Sequence, residues 1–571
     1  MAPDTTGTRS ARTATDARCD RPHRRDGRAL ARYLKVRSWL AVGALVVGSC
    51  ACQRPPDDDF RVYPYVQSPA TEAMTVMWLA RGDQPGRLGV LRPGQAAPVW
   101  MTSQPRRADT LAYDRRDRSA CRQGTGCGVP YLHRIRVRGL RPDTQYEYTV
   151  EQGQSRFRSA FRTAPGRDQR RPIRLILYAD CETEPESTGA RVIWDDPRGR
   201  QPDRRYPIDQ TRGYAANLNV IRSRRPDLIA IAGDLVEAGG KQQDWDEFWR
   251  HLAGPDGRTS IAGRIPVMPA PGNHEYFAGP DLGGYREPHS SRAIARYLTY
   301  FEAPDSPRSD LVPVSPDSEG RYYRLDYGPL TLIALDVAND SPQRSARDSN
   351  FFLAGEGDEG GGRAPMFGPG SRQYVWLRGQ LEDAQARGQF TVVMFHHTPY
   401  SVGPHGWPPP PARTGHTDPQ SGVPVRRLTP LLMEYGVDAV VTGHDEMWER
   451  SQVTGRERLR DGRLRAHVIH FYDVGIGGDG LRAPQPGLQN PYQAFLAHRD
   501  APEVWRDGVL QSGGKHYGHL EIDLTPEPDG RWRAVLEPVY ILPQIDTQGH
   551  FRGYQRRVYA DVITLHTDGA E

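Results

Sequence analysis

Gly272-Asn273-His274-Glu275, set shortly after the apolar run Ile265 to Met268, decides the fold reading, because four other segments of the chain repeat its design. Asp180-Cys181-Glu182 follows Ile173 to Tyr178, and Gly233-Asp234-Leu235-Val236-Glu237 follows Leu228 to Ile231. His396-His397-Thr398-Pro399 follows Thr391 to Phe395, and Gly443-His444-Asp445-Glu446 follows Val437 to Val441. Each apolar run has the length of a buried strand. Each delivers Asp, Asn, His or Glu just past a strand's carboxyl end, where ligands and catalytic groups gather in layered α/β folds. Oxygen and imidazole donors converging at one place suit hard or borderline divalent metals.

Around these segments, strands alternate with helical patterns from about residue 170, which predicts an α/β layered domain over 170–545. Gln210 to Ser223, Trp245 to Leu252, Ser371 to Arg387 and Val425 to Tyr435 read as its helices, and Asp326 to Leu335 as a hairpin and strand. Residues 60–166 alternate apolar and polar positions, as in Met74 to Trp78, Leu132 to Val137 and Tyr146 to Val150, so this region reads as all-β. Its segment Gly139 to Tyr146 resembles the corner turn of fibronectin type III domains, in which a Tyr hydroxyl bonds back to the backbone. Residues 50–59 read as a tether and 546–571 as a C-terminal tail. Gly355 to Gly362 is a low-complexity loop. The stretch from Gly403 through His405, Trp407 and four prolines reads either as one wall of a cleft or as a surface loop, in which His405 and His416 could reach substrate but a surface role is favoured.

A chain of 571 residues exceeds one ordinary core, in keeping with two or more domains. The net charge is only +5, and the first 49 residues hold ten Arg or Lys against four Asp. A mature chain without them is near neutral. No basic, aromatic-laced stripe argues for nucleic acid. Trp39 to Gly48 is an apolar stretch too short to span a bilayer, preceded by Arg32, Lys35 and Arg37, as in an export signal. Its end, Val47-Gly48-Ser49-Cys50, resembles a bacterial lipobox, which makes Cys50 the expected lipidation site and implies a cell-surface or periplasmic lipoprotein. The alternative is an ordinary cleaved signal and a secreted protein. Disulfides are permitted there, and Cys121 and Cys127 flank a flexible loop that a local disulfide would close.

Two metals roughly 3.5–4 Å apart need a bridging carboxylate and terminal ligands from separate loops. Asp234 suits the bridge, Asp180 one metal, and Asn273, His397 and His444 the other. The order, spacing and strand context of these motifs resemble the calcineurin-like metallophosphoesterase superfamily, and within it purple acid phosphatases and their bacterial relatives. Tyr323 to Pro329, Gln373 to Leu377, Tyr435 to Asp438 and Lys515 to His519 support the likeness, which runs from about residue 60 to 542. The resemblance implies a metallophosphoesterase β-sandwich layered with helices (α/β/β/α) behind a small all-β domain. It implies phosphate monoester hydrolysis by a metal-bound hydroxide. His397, as the His of His-x-Pro, matches a family ligand, with His396 beside it as a packed or supporting neighbour. His274 matches the His that donates to substrate or leaving group, and Glu275 is expected to orient it. A His near the Tyr517-Gly518-His519 stretch can sit by the cleft in that family.

Two positions depart from the family. The Tyr that colours purple phosphatases falls at Glu237, and the last His of Gly-His-x-His falls at Glu446. One metal site then comprises Asp180, Asp234 and Glu446, with Glu182 or Glu237 as a fourth ligand, a harder, carboxylate-rich set. Two metal ions are expected, with Fe, Mn or Zn as candidates and no purple charge-transfer band. The alternative functions are a phosphodiesterase or nucleotide hydrolase of the same fold, and a surface binding protein that has lost a metal.

Overall fold

The computed structural model describes residues 58–567 apart from 115–126, 186–190, 195–203, 305–318, 339–363, 404, 406–421, 486, 498, 507–508 and 546–550. The expected export segment, Cys50, most of the tether, Cys121 and the Gly355–Gly362 loop lie outside the described residues.

Residues 60–162 form two antiparallel four-stranded sheets. In strand Gln145–Gln152, Tyr146, Tyr148 and Val150 are buried between more exposed neighbours, the two-residue period of a half-buried strand. The Tyr146 hydroxyl accepts a hydrogen bond from Arg141 N at 2.8 Å, the kind of backward bond its corner turn predicts.

The rest of the chain is mixed α/β, built on two seven-stranded sheets. In one, Val267–Ala270, Leu228–Ala232 and Ile173–Tyr178 run parallel and are extended by antiparallel Gly518–Pro526 and Trp532–Ile545. In the other, Leu330–Ala334, Phe390–His397, Ala439–Gly443 and Leu464–Val474 run parallel. Alternation along each strand divides the core. Leu175, Leu177, Ala230, Met268, Leu332, Val392, Met394 and Val441 share one cluster between the sheets. Their sequence neighbours turn outward. Ile176, Tyr178, Ile229 and Ile231 pack with helix Gln242–Leu252, and Ile333, Val393, Phe395 and Val440 pack with helix Arg372–Ala386. A one-residue slip would reverse these faces, so the register is firmly specified.

Three elements differ from the sequence expectation. Residues 551–566, expected in a tail, form strands Phe551–Val558 and Ile563–His566, both paired with Trp532–Ile545. The Arg-rich composition of Phe551–Val558 and the four-residue length of Ile563–His566 hide them, because both pair at the periphery of the sheet. Helix His289–Tyr300 was not expected. The expected helix from Val425 to Tyr435 is a 3-10 turn, Val423–Leu428, followed by the short helix Thr429–Glu434. Pro424 and Pro430, each in a first turn, explain the break, because proline lacks the N–H a continuous helix needs.

The all-β region is not a separate bead. Tyr65 packs on Trp249 with ring centroids 4.3 Å apart, and its hydroxyl donates to Tyr300 O at 2.9 Å. Tyr148 donates to Gly263 O at 2.6 Å. One hydrophobic cluster runs through both regions.

Candidate metal centre and active site

The five motif loops meet beyond the carboxyl ends of their strands, and the backbone there bends against its own preference. Asp180, Glu182, Asp234, His444 and Glu446 all have positive φ, between 29° and 78°. Non-glycine residues rarely adopt such conformations, and when held there they mark functional loops. Gly272 permits a close approach, since a Cβ at that position would lie 2.1 Å from Asp234 Oδ1.

Asp234 occupies the centre. Its Oδ1 accepts from His274 N at 2.9 Å, and its Oδ2 lies 2.8 Å from His396 Nε2. His396 Nδ1 sits 2.9 Å from Ala232 O, and its Nε2 is 3.1 Å from His444 Nδ1. A carbonyl only accepts, so Nδ1 carries a proton and Nε2 is the nitrogen presented to the site. Burial alone would lower the His396 pKa, but Asp234 and Asp180 outweigh it and push it up to about 9. His444, crowded by burial and by His405, His397 and His396, is held well below the ordinary value, as a neutral ligand requires. Asp234, His396 and His444 place donor atoms within 4.8 Å of one another, as do Asp180, Glu182 and Asp234. Asp234 is common to both groups.

Asp180 accepts from His444 N with both oxygens at 3.0 Å, and burial pushes its carboxyl up to about 7. Glu182 is driven well above the ordinary range by burial and then by Asp479, Glu446 and Glu237. Glu446 is also pushed well up, by burial first, against the opposing effect of Arg482. Asn273 directs Nδ2 to the Tyr285 hydroxyl at 3.2 Å, while its buried Oδ1 accepts no hydrogen bond among the described residues. Crowded carboxylates, a neutral imidazole and an orphaned carbonyl oxygen are the donor set a pair of divalent cations takes. The residues present therefore fit a dimetal centre.

His274 and Glu275 are both in place, with a different division of labour from the one expected. Glu275 does not orient His274. Its carboxylate accepts from Gly272 N at 2.7 Å, Asp234 N at 3.0 Å and Leu235 N at 2.9 Å, which ties two motif loops together. His274 is oriented by Glu237, whose main-chain carbonyl lies 2.6 Å from Nδ1. The opposite nitrogen, Nε2, is 3.6 Å from Glu182 Oε1. The Glu237 carboxylate is about a third exposed, 3.9 Å from His274 Nδ1.

His397 is buried, with its ring centroid 4.4 Å from that of His444, while His396 makes the contact with Asp234. His405, read from sequence as a surface residue, packs its ring 3.9 Å from His444 and donates its main-chain N–H to Asp445 Oδ1 at 3.0 Å. Asp479, absent from the sequence reading, joins Glu182 and Glu446 in a third donor group. Its signal was available, because Gly477-Gly478-Asp479 follows strand Leu464–Val474 as the other motifs follow theirs. His519 is buried, belongs to none of the donor groups among the described residues, and has its Nδ1 2.7 Å from Asn217 Oδ1. Cys127 is disulfide-bonded, and the free thiol of Cys181 is buried with its Sγ 3.5 Å from Leu235 O.

Comparisons with known proteins show what the chain is similar to. The calcineurin-like phosphoesterase family matches residues 208–445. An uncharacterized protein of Mycobacterium tuberculosis is 28% identical over 473 residues, spanning 76% of this chain and 75% of its own. The acid phosphatase type 7 of Danio rerio is 23% identical over 337 residues, 57% of this chain and 59% of its own. The structure of a purple acid phosphatase from yellow lupin (Lupinus luteus) seeds superposes with a TM-score of 0.53 at 17% identity, over 87% of this chain and 74% of that one. The chain carries a calcineurin-like phosphoesterase domain and is a phosphoesterase hydrolase similar to the purple acid phosphatases.

Proposed function

We propose that this protein is an exported, dimetal phosphoesterase that prefers phosphate monoesters. The observation that carries the reading is Asp234, whose carboxylate belongs both to the imidazole group with His396 and His444 and to the carboxylate group with Asp180 and Glu182. That is the placement a bridging ligand needs. On this reading Asp180, Asp234, Glu446 and Glu182 hold one cation. Asp234, Asn273, His444 and a histidine of the His396-His397 pair hold the other. When bound, the cations supply positive charge to the phosphoryl oxygens and acidify coordinated water.

The remaining chemistry belongs to side chains of this chain. The Nδ1–H of His274 donates to the Glu237 carbonyl, which fixes the ring and leaves Nε2 turned toward Glu182. In its imidazolium form that Nε2–H is the proton source for the departing alkoxide. Glu275 keeps Gly272 and Asp234 in register, so His274 and the bridging carboxylate hold a fixed relation. Iron, manganese and zinc are the candidate metals, with harder ions favoured at the all-carboxylate set. Export rests on the Trp39 to Cys50 segment, with Cys50 as the lipid anchor, and the small all-β domain reads as fibronectin type III-like.

The test is the ratio of aryl phosphate monoester to diester hydrolysis by the metal-reconstituted protein. A ratio well above one supports the monoesterase. A ratio below one assigns the protein to diesters or nucleotides.

A further inference from the structure

The loop Gly475 to Arg482 follows strand Leu464–Val474 and packs on the Asp180 and Glu446 segments. Main-chain bonds hold it against two motif loops. Gly477 N donates to Ala179 O at 3.0 Å, Gly478 N and Asp479 N donate to Asp180 O at 3.1 and 2.9 Å, and Arg482 N donates to Glu446 O at 3.0 Å. A Cβ at Gly480 would lie 1.4 Å from Glu446 Oε2, so the loop rests directly on that carboxylate. Leu481 is buried beside it, which fixes the base of Arg482. The Arg482 side chain stays 45% exposed, pairs through Nη2 with Glu446, and donates from Nη1 to His405 Nε2 at 3.1 Å.

We propose that Arg482 is a phosphate-binding residue that favours dianionic monoesters. The inference rests on the phosphoesterase reading of the site. Asp180, Glu182, Asp234, Glu237, Glu446 and Asp479 all contribute to the donor groups. With these six ionised, two divalent cations leave the centre negative, and an arriving phosphate dianion is repelled. A guanidinium held at the rim offsets that excess, and its planar fork matches two oxygens of one phosphate. It stands between Glu446, within one donor group, and His405, whose ring packs 3.9 Å from that of His444 in another, so it reaches one half of the centre directly and the other through His405.

The experiment compares wild-type, Arg482→Ala and Arg482→Lys holoenzymes. It measures inorganic phosphate binding by calorimetry, metal content, and KM and kcat for an aryl monoester and its diester. Arg482→Ala is expected to raise the phosphate Kd and monoester KM about ten- to a hundred-fold, the worth of a charge-assisted hydrogen bond. Diester KM should move less, metal content should hold, and Arg482→Lys should recover part of the loss. Unchanged phosphate affinity with full metal content overturns the proposal. So does metal loss in Arg482→Ala with normal phosphate affinity at saturating metal, since Arg482 would then only balance Glu446. If the Arg482 variants fail these tests while the wild type still turns over, the phosphoesterase reading survives alone. A wild-type holoenzyme that neither binds phosphate nor turns over removes both.

Discussion

At the residue scale, which residues gather at the strand ends was readable in the sequence and their hydrogen-bond partners were not. Sequence order placed Asp180, Asp234, Asn273, His274 and His444 at strand ends, and the folded chain gathers them. The choice within His396-His397 depends on which side of strand Phe390–His397 each ring leaves, and pairing with the next strand is irregular between Met394 and His397. Pattern alone cannot see such a shift. Glu275 shows a similar limit, because an acid beside a catalytic His reads as its orienting partner, whereas folding turns it onto three main-chain donors. Glu275→Ala should therefore cost about 3 kcal/mol of stability in denaturant unfolding, from three buried N–H groups left unmet. A loss under about 1 kcal/mol would contradict this role. His274→Asn should slow esters with poor leaving groups by a factor of about 10² to 10⁴ and spare those with good leaving groups. Equal losses for both would remove His274 as the proton donor.

At the element scale, a clip outside the metal cluster holds the Asn273–Tyr276 turn. The Tyr276 hydroxyl donates to Asp336 Oδ2, Arg321 Nη1 donates to that hydroxyl at 2.8 Å, and Gln373 Oε1 accepts from Asp336 N at 2.9 Å. Asp336 follows strand Leu330–Ala334, so the clip joins a strand of one sheet to a motif loop of the other. Burial pushes its carboxyl up from 3.8 to about 6, against the opposing effects of Arg321 and Tyr276. A carboxyl raised on folding contributes stability that is fully present below about pH 4 and is lost as pH rises through about 6. Asp336→Asn should flatten that part of the pH–stability curve, measured by denaturant midpoints between pH 4 and 7. An unchanged slope would show that Asp336 does not titrate in this range. The strands and most helices of this region were legible because alternation and 3.6-residue periodicity survive in single segments. Helix His289–Tyr300 was missed because no motif strand immediately follows it to mark it as a crossover.

At the scale of the whole molecule, the strands of the all-β and α/β regions were legible as a list of elements, but their shared core was not. Contacts such as Tyr65 on Trp249 join residues far apart in sequence, and no local pattern encodes them. The C-terminal strands were equally hidden, since Arg450 pairs with Asp561 only after folding, at 2.7 and 2.8 Å. Residues 58–571 should thus unfold in one calorimetric transition, with the all-β and α/β regions melting together. Two resolved transitions would contradict the shared core. On the proposed reading Asp234 joins two metal sites into one phosphoesterase centre, and metal content per chain is the decisive quantity. Reconstituted wild-type protein should hold close to two metal ions, and folded Asp234→Asn should hold fewer and lose turnover. A wild-type content of one or none, or normal content and activity in Asp234→Asn, would contradict the account.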